Sequence, residues 1–234
     1  MLARASAALR LLRLRATLPL VFRRERLPAL LARLDGARGG DPRGADALER
    51  AADRLLRPLR LWPTTCLWRA LGGYAALRAA GADVRFLIGV RPGPKGPGDV
   101  QAHAWLERGG RPSLGAPPAG AFRVAFAWPA DPGTLPLERS QVPGLHPSED
   151  AILTELGDGT GVLLDLRTRH YFTLNATGVL TWKLLAGGAA DPDAVARGVA
   201  GEYPDADPAA VRRDVDALLA ELGREGLVVE RAAP

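Results

Sequence analysis

The stretch PTTCLWRALGGYAALRAAG, residues 63–81, decides how the front half of this chain reads. Its composition is that of a helix, stopped by Gly81, and it carries the chain's one cysteine, Cys66, in what reads as the first turn. The free N–H groups and the dipole at a helix start favour thiolate over thiol, and the thiolate is the reactive species. A cysteine nucleophile also needs a base. Of the three histidines, His146 falls in a proline-rich stretch and His170 in the rear third. His103 falls in VQAHAWLER, residues 100–108, which has strand character. Spacing alone leaves a bland reading open. A lone cysteine is most often a small buried hydrophobe, and a lone strand histidine a structural hydrogen bonder.

Working outward, 234 residues suffice for one large domain or two small ones, each with its own core. Apolar content of 47% and charge of 24% are those of a soluble globular protein. A single cysteine excludes an internal disulfide framework and a Cys-rich zinc site; a reduced, cytoplasmic setting fits, and neither metal nor cofactor is expected. The charge is graded. Residues 1–60 carry 14 Arg against 6 acids (+8), residues 61–150 are +2, and residues 151–234 are −5. A basic front and an acidic rear point to separate modules and argue against a nucleic-acid binder. At the N-terminus, arginines at 4, 10, 13 and 15 interrupt every apolar run, so neither a secretory signal nor a membrane span is expected. That Arg-rich segment reads as a helix packing its Leu face on the neighbouring domain, with a membrane-surface contact as the alternative.

Residues 1–60 read as helices, with apolar residues at three- and four-residue steps in RERLPALLARLDG and GADALERAADRLLRPLRLW. After the Cys66 helix the period changes. DVRFLIGVR, VQAHAWLER and FRVAFAW read as three strands. Residues 129–150 hold five prolines, a density that predicts neither helix nor strand, so 129–149 is expected to be a linker. In 150–234, AILTEL, GVLLDLRT and HYFTLN read as strands and LVVE as a further short one. Asn175, Asp191-Pro192 and Asp207-Pro208 each open a helix. Val211, Val215, Leu218, Leu219 and Leu222 share one face of the third helix. The fold class is therefore α+β: helices over 1–60, a helix followed by three strands over 61–128, the linker, and a small winged-helix-like domain of three strands and three helices over 150–234.

A cysteine at a helix start facing a histidine on a neighbouring strand is similar to the layout of papain and the transglutaminases. The local blocks are more specific. Cys66, Leu67 and Arg69, then Gly89-Val90, then Ala102 to Trp105, Glu107 and Gly110 to Pro112 resemble the leader peptidase of lasso peptide biosynthesis, the B protein of that pathway. The resemblance implies a transglutaminase-like cysteine protease in which Cys66 attacks the scissile carbonyl and His103 activates it. It also implies a third, acidic residue about a dozen positions after the histidine. Here Gly115 and Ala116 stand there, and no carboxylate lies between Glu107 and Asp131. Asp131 is a candidate for that role, and a backbone carbonyl, an Asn or a Gln can hold the ring instead. Gln101, on the same strand face as His103, is a weak candidate for steadying an oxyanion. Trp68 and Trp105 border the site and read as core before groove.

The rear stretch GVLLDLRTRHYFTLNATGVLTWKLL, with Leu174, Asn175, Gly178 and Trp182, resembles the PqqD-like recognition element of ribosomal-peptide pathways. The resemblance implies that a precursor's leader peptide adds as a strand beside the third strand and fills a cleft against the third helix. The candidate contacts are His170, Tyr171, Phe172 and Thr173 on the strand, and Val211, Val215, Leu218 and Leu222 on the helix. About half of the helix residues are expected to be plain core. Together the resemblances imply a leader peptidase acting on a ribosomally made precursor, with ring closure left to a separate asparagine-synthetase-like cyclase. A transglutaminase-type acyltransferase and a non-catalytic precursor-presenting scaffold are the alternatives.

Overall fold

Helix Cys66–Ala79 (α3) is enclosed on every side. Nine consecutive residues, Ala70 to Arg78, are buried, which is why its sequence shows no polar face. In this computed structural model, residues 25–35, 45–55, 65–96, 98–130 and 143–232 are described. Two earlier helices pack on α3: Leu27–Asp35 (α1) through Leu27, Leu30 and Leu31, and Ala45–Leu55 (α2). The remaining wall is a four-stranded sheet of Val84–Pro92 (β1), Val100–Arg108 (β2), Arg111–Pro112 (β3) and Arg123–Trp128 (β4), in the order β3-β2-β1-β4. Phe86 of β1 meets Tyr74 of α3 edge to face, with centroids 6.3 Å apart. Burial, and then the neighbouring Asp35 carboxylate, push the Tyr74 phenol above its ordinary range. Arg78 is buried too, and its guanidinium pairs with Asp35.

Two glycine pairs shape this unit. Gly72 and Gly73 lie mid-helix, where glycine costs about 1 kcal/mol relative to alanine. A Cβ at Gly73 would run into Leu114 Cδ2 and approach Leu106 Cδ1 at 3.1 Å, so the bare backbone is what lets these side chains lie on the helix. Gly109 and Gly110, both at positive φ (56° and 73°), make the two-residue reversal that lays residues 111–115 back along β2.

The chain divides into two compact units, Met1–Arg91 with Gln101–Asp131, and Pro92–Val100 with Pro132–Pro234. In the second, Ala151–Glu155 (β6), Gly161–Asp165 (β7) and Tyr171–Leu174 (β8) form an antiparallel sheet in the order β6-β7-β8. Three helices follow: Ala176–Ala186 (α4), Pro192–Glu202 (α5) and Pro208–Arg224 (α6). Each start is capped as its sequence dictates. Asn175 Oδ1 accepts from Gly178 N at 2.8 Å, Asp191 Oδ1 from Asp193 N at 3.2 Å, and Asp207 Oδ1 from Ala209 N at 3.1 Å. Each such cap is worth about 1 kcal/mol. The core joins Leu163, Trp182, Leu185, Val195, Val199, Val215, Leu219 and Leu222.

One expectation is corrected. The stretch 129–149 is not wholly without structure, because Gly144–Pro147 is a strand (β5) paired with Val228–Arg231 (β9). Its proline survives because it sits at the strand's end, where a missing N–H costs little. His146, assigned to a linker by its surroundings, is buried on that strand. Residues 131–142 and the Arg-rich N-terminus, residues 1–24, lie outside the described residues. Among the described residues no helix is long and apolar enough to cross a membrane, and no three His, Cys, Asp or Glu side chains cluster as metal ligands would.

Candidate functional site

Cys66 is the first residue of α3, preceded by Thr65, whose extended backbone and side-chain oxygen cap the helix; Thr65 Oγ1 accepts from Trp68 N at 3.4 Å. In any α-helix the first amides have no intrahelical acceptor, so the Cys66 and Leu67 N–H groups are available to an oxygen placed at the helix mouth. The thiol is half-buried. Arg69, one turn on, pairs with Asp53 of α2 and so serves the packing of the two helices.

His103 stands on β2 in an aromatic cluster. Its ring stacks on Trp105 (centroids 6.2 Å, interplanar 15°) and lies 5.6 Å from Phe122. Trp105 is buried, and it fits because residue 89 is glycine. A Cβ there would sit 2.7 and 2.8 Å from the indole ring. The outer rim belongs to Arg91, stacked over Phe122 at 4.7 Å, whose Nε and Nη2 donate to Gln101 Oε1 at 2.9 and 2.6 Å. Gln101 is thereby fixed through its oxygen, and its NH₂ is a donor group.

The partner of the ring is a backbone carbonyl. His103 Nε2 lies 2.8 Å from Gly115 O, twelve residues on. A carbonyl oxygen only accepts, so Nε2 carries the hydrogen and Nδ1 of the neutral ring holds the lone pair. That is the tautomer a base needs if the proton is to be taken at Nδ1. Gly115 sits at φ 74°, in the left-handed region, and this turns its carbonyl onto the ring. Asp131, the weak carboxylate candidate, lies outside the described residues.

No hydrogen bond joins Cys66 Sγ to the ring of His103 in this structure. Gly73, seven residues into α3, meets Leu106, three residues beyond His103, and the rises of helix and strand make both intervals about 10 Å. Alternation sets Leu106 on the strand face that meets Gly73 and groups Gln101, His103 and Trp105 on the other. The Gly73–Leu106 contact therefore does not by itself bring sulfur and ring together.

In the second unit, β8 ends the sheet: it pairs with β7, and no other described strand pairs with its outer side. His170, Tyr171 and Thr173 are exposed, whereas Phe172 is half-buried against the core. On α6 the expected cleft residues divide. Val211 and Leu218 are half-buried at the margin of the core. Val215 and Leu222, at 1% and 2% exposure, are core and are corrected out of the cleft, because they lie at the centre of the helix's apolar stripe. Gly178 and Gly161 let α4 seat against the sheet, since an added Cβ would lie 3.2 Å from Leu174 Cβ and 2.8 Å from Val179 Cγ2, respectively. The turn into β8 is held by Asp165, whose carboxylate accepts from Arg167 N at 2.7 Å and Thr168 Oγ1 at 2.8 Å. Burial alone would raise that carboxyl; the bonds from Thr168 and Arg167 outweigh it and hold it below the usual carboxylate range.

Sequence reasoning missed Thr65, Gly73 and Phe122. Thr65 was readable as a cap; the others act through long-range packing that no local pattern signals.

A helix-borne cysteine beside a sheet that carries a histidine is the layout of the transglutaminase-like class. The first unit falls within it by sequence as well: residues 2–127 match the Transglutaminase-like superfamily, and the chain belongs to that superfamily. Residues 160–228 match coenzyme PQQ synthesis protein D (PqqD), so a PqqD-type domain follows. No curated protein sequence matches the chain. Among solved structures, TbiB1 in complex with the TbiA(beta) leader peptide is 31% identical, covering 37% of this chain and 98% of that one, with a TM-score of 0.34.

Proposed function

We propose that this chain is a cysteine peptidase of lasso-type ribosomal peptide maturation, in which the PqqD-type domain holds a precursor's leader and the transglutaminase-like unit cuts leader from core. The observation that carries the proposal is the His103–Gly115 hydrogen bond, which holds the ring in a base-competent tautomer.

In the proposed step, Sγ–H gives its proton to His103 Nδ1 and the thiolate adds to the scissile carbonyl carbon. The resulting oxyanion is met by the amides at the α3 start and by the Gln101 NH₂. Collapse breaks the C–N bond as the imidazolium returns its proton to the leaving amine. Water, deprotonated by the same ring, then releases the acyl group from sulfur. The step requires Sγ of α3 to meet Nδ1 of a ring carried on the strand face turned away from Gly73.

The leader is proposed to add along the outer side of β8, past Tyr171 and Thr173, with side chains reaching Val211 and Leu218. Each backbone hydrogen bond contributes a net ~0.5–1.5 kcal/mol, so apolar anchors must supply the specificity. Tethering both units in one chain raises the effective concentration of the scissile bond. The freed core amine would pass to a separate asparagine-synthetase-like cyclase.

Incubating the full chain with its precursor peptide tests this. Free leader and core, with one water added to their summed mass, are expected. A product carrying an added amine would instead indicate acyl transfer. The absence of a hydrogen bond between Cys66 and His103 favours a second reading, a precursor-presenting scaffold. Leader binding without cleavage, with and without the cyclase, would select it.

A further inference from the structure

The carbonyl that holds His103 is itself held, and the residues that hold it have no place in the sequence motif. Residues 113–115 form a short strap beside β2. Ser113 N donates to Leu106 O at 2.9 Å, and Leu106 N donates to Leu114 O at 3.1 Å. Leu114 is buried, its side chain lying over Gly73 of the cysteine-bearing helix. Ser113 Oγ donates to Glu49 Oε1 of α2 at 2.5 Å, across 64 residues of chain. Glu49 Oε2 is steadied in turn by Arg108 Nε at 3.6 Å. Ala116 N closes the turn onto Ser113 O at 3.1 Å. With both ends fixed, the left-handed φ of Gly115 aims its oxygen at one place, the Nε2 of His103.

We infer that Glu49, Ser113 and Leu114 are positioning residues: the Ser113–Glu49 latch and the seating of Leu114 on Gly73 fix the strap that sets the His103 tautomer. The inference rests on the peptidase reading for its catalytic meaning, though not for its structural content. A carboxylate is thus present at one remove. It does not touch the ring; it anchors the segment whose carbonyl does. The same strap touches the helix that carries Cys66, so loosening it disturbs the ring and its register with that helix together. Displacements of about 1 Å remote from the chemistry can lower a rate as much as 100-fold.

The test compares four variants of the full chain. Ser113→Ala and Glu49→Ala remove the latch. Ser113→Thr keeps the hydroxyl, and Glu49→Gln keeps the acceptor while losing the ion pair with Arg108. Two readouts are taken: nitrogen NMR of the histidine rings in mildly alkaline buffer, assigned against His103→Gln, and kcat and KM on the precursor. Wild type is expected to show the Nε2–H tautomer of His103. The two alanine variants are expected to populate both tautomers and to lose about 10- to 100-fold in kcat with KM changed by less than about twofold. Ser113→Thr and Glu49→Gln restore both readouts. A wild-type ring signal in Ser113→Ala and Glu49→Ala overturns the inference, whatever their rates. If wild type cleaves nothing yet the alanine variants shift the tautomer, the strap stands and the peptidase reading falls. Should Glu49→Ala not fold, Leu114→Val loosens the seat in its place, with the same tautomer mixing expected and an unchanged ring signal counting against the inference.

Discussion

The helix starts of the second unit and the ring of His103 are held by opposite means. Asn175, Asp191 and Asp207 each bond an amide two or three residues away, so a few adjacent letters both specify and perform the cap. His103 is held by an oxygen twelve residues on, on a strap latched to a helix 64 residues before it. The first arrangement survives most changes elsewhere in the chain. The second integrates α2, α3, β2 and a glycine turn, and a fault in any one of them reaches the ring. Local rules therefore place the elements of this protein, while tertiary contacts set its chemistry.

Four perturbations break or sharpen this contrast. The largest concerns the sulfur. Cys66→Ala is expected to lower precursor cleavage by at least about 10⁴-fold while leader affinity, read by fluorescence anisotropy on the same full chain, changes by less than about twofold. Cleavage at the wild-type rate would end the peptidase proposal. Next, the two kinds of α6 residue should separate. Val215→Ala is expected to cost about 2–4 kcal/mol in urea unfolding. Leu218→Ser is expected to cost less stability and to weaken leader binding about tenfold. If Leu218→Ser leaves the leader Kd unchanged, the proposed cleft lies elsewhere. A third change attacks the long-range arrangement through one backbone angle. Gly115→Ala meets no clash, since its Cβ would approach only Ala104 O at 3.9 Å, but φ 74° costs a non-glycine residue about 1–2 kcal/mol. Relaxation of that angle turns the carbonyl off Nε2, and kcat is expected to fall about tenfold or more with little change in melting temperature. Equal losses of rate and stability would mean the position is merely structural.

The smallest effect is a pH dependence of the local kind. The Asp165 carboxyl is held below its ordinary value in the folded chain, chiefly by Thr168 and Arg167 against the opposing effect of burial. A depressed folded value means that its contribution is complete above the unfolded carboxylate value, near 4, and is lost as pH falls through the folded value. Protection factors of amides in β7 and β8 should therefore fall below about pH 4 in wild type, and Asp165→Asn should flatten that dependence at a cost of about 1–2 kcal/mol at neutral pH. An unchanged acid profile in Asp165→Asn would assign the loss to other groups.

Much of the architecture was legible because short signals dominate it. The caps of α4, α5 and α6, the strands β1, β2, β4, β6, β7 and β8 and the place of Cys66 in the first turn of α3 all follow from neighbours in sequence. Three things were not legible, for different reasons. The strand β5 is four residues long and ends on proline, so its own letters argue against it, and only pairing with β9, more than eighty residues on, makes it a strand. Val215 and Leu222 share a stripe with Val211 and Leu218, and periodicity reports the stripe without saying which members reach its centre. The support for His103 is the extreme case. Every residue type carries a backbone carbonyl, so no letter in the sequence announces that Gly115 supplies one.

A ring steadied by a peptide oxygen has a property that an aspartate-steadied ring lacks. The amide oxygen stays unprotonated through the acidic range in which a carboxylate would take up its proton, so acidity alone does not disarm the support. Nor can any side-chain deletion remove it. It can only be misdirected, and the genetic vulnerability of the site is thereby moved from a functional group to the bends and anchors that orient the main chain.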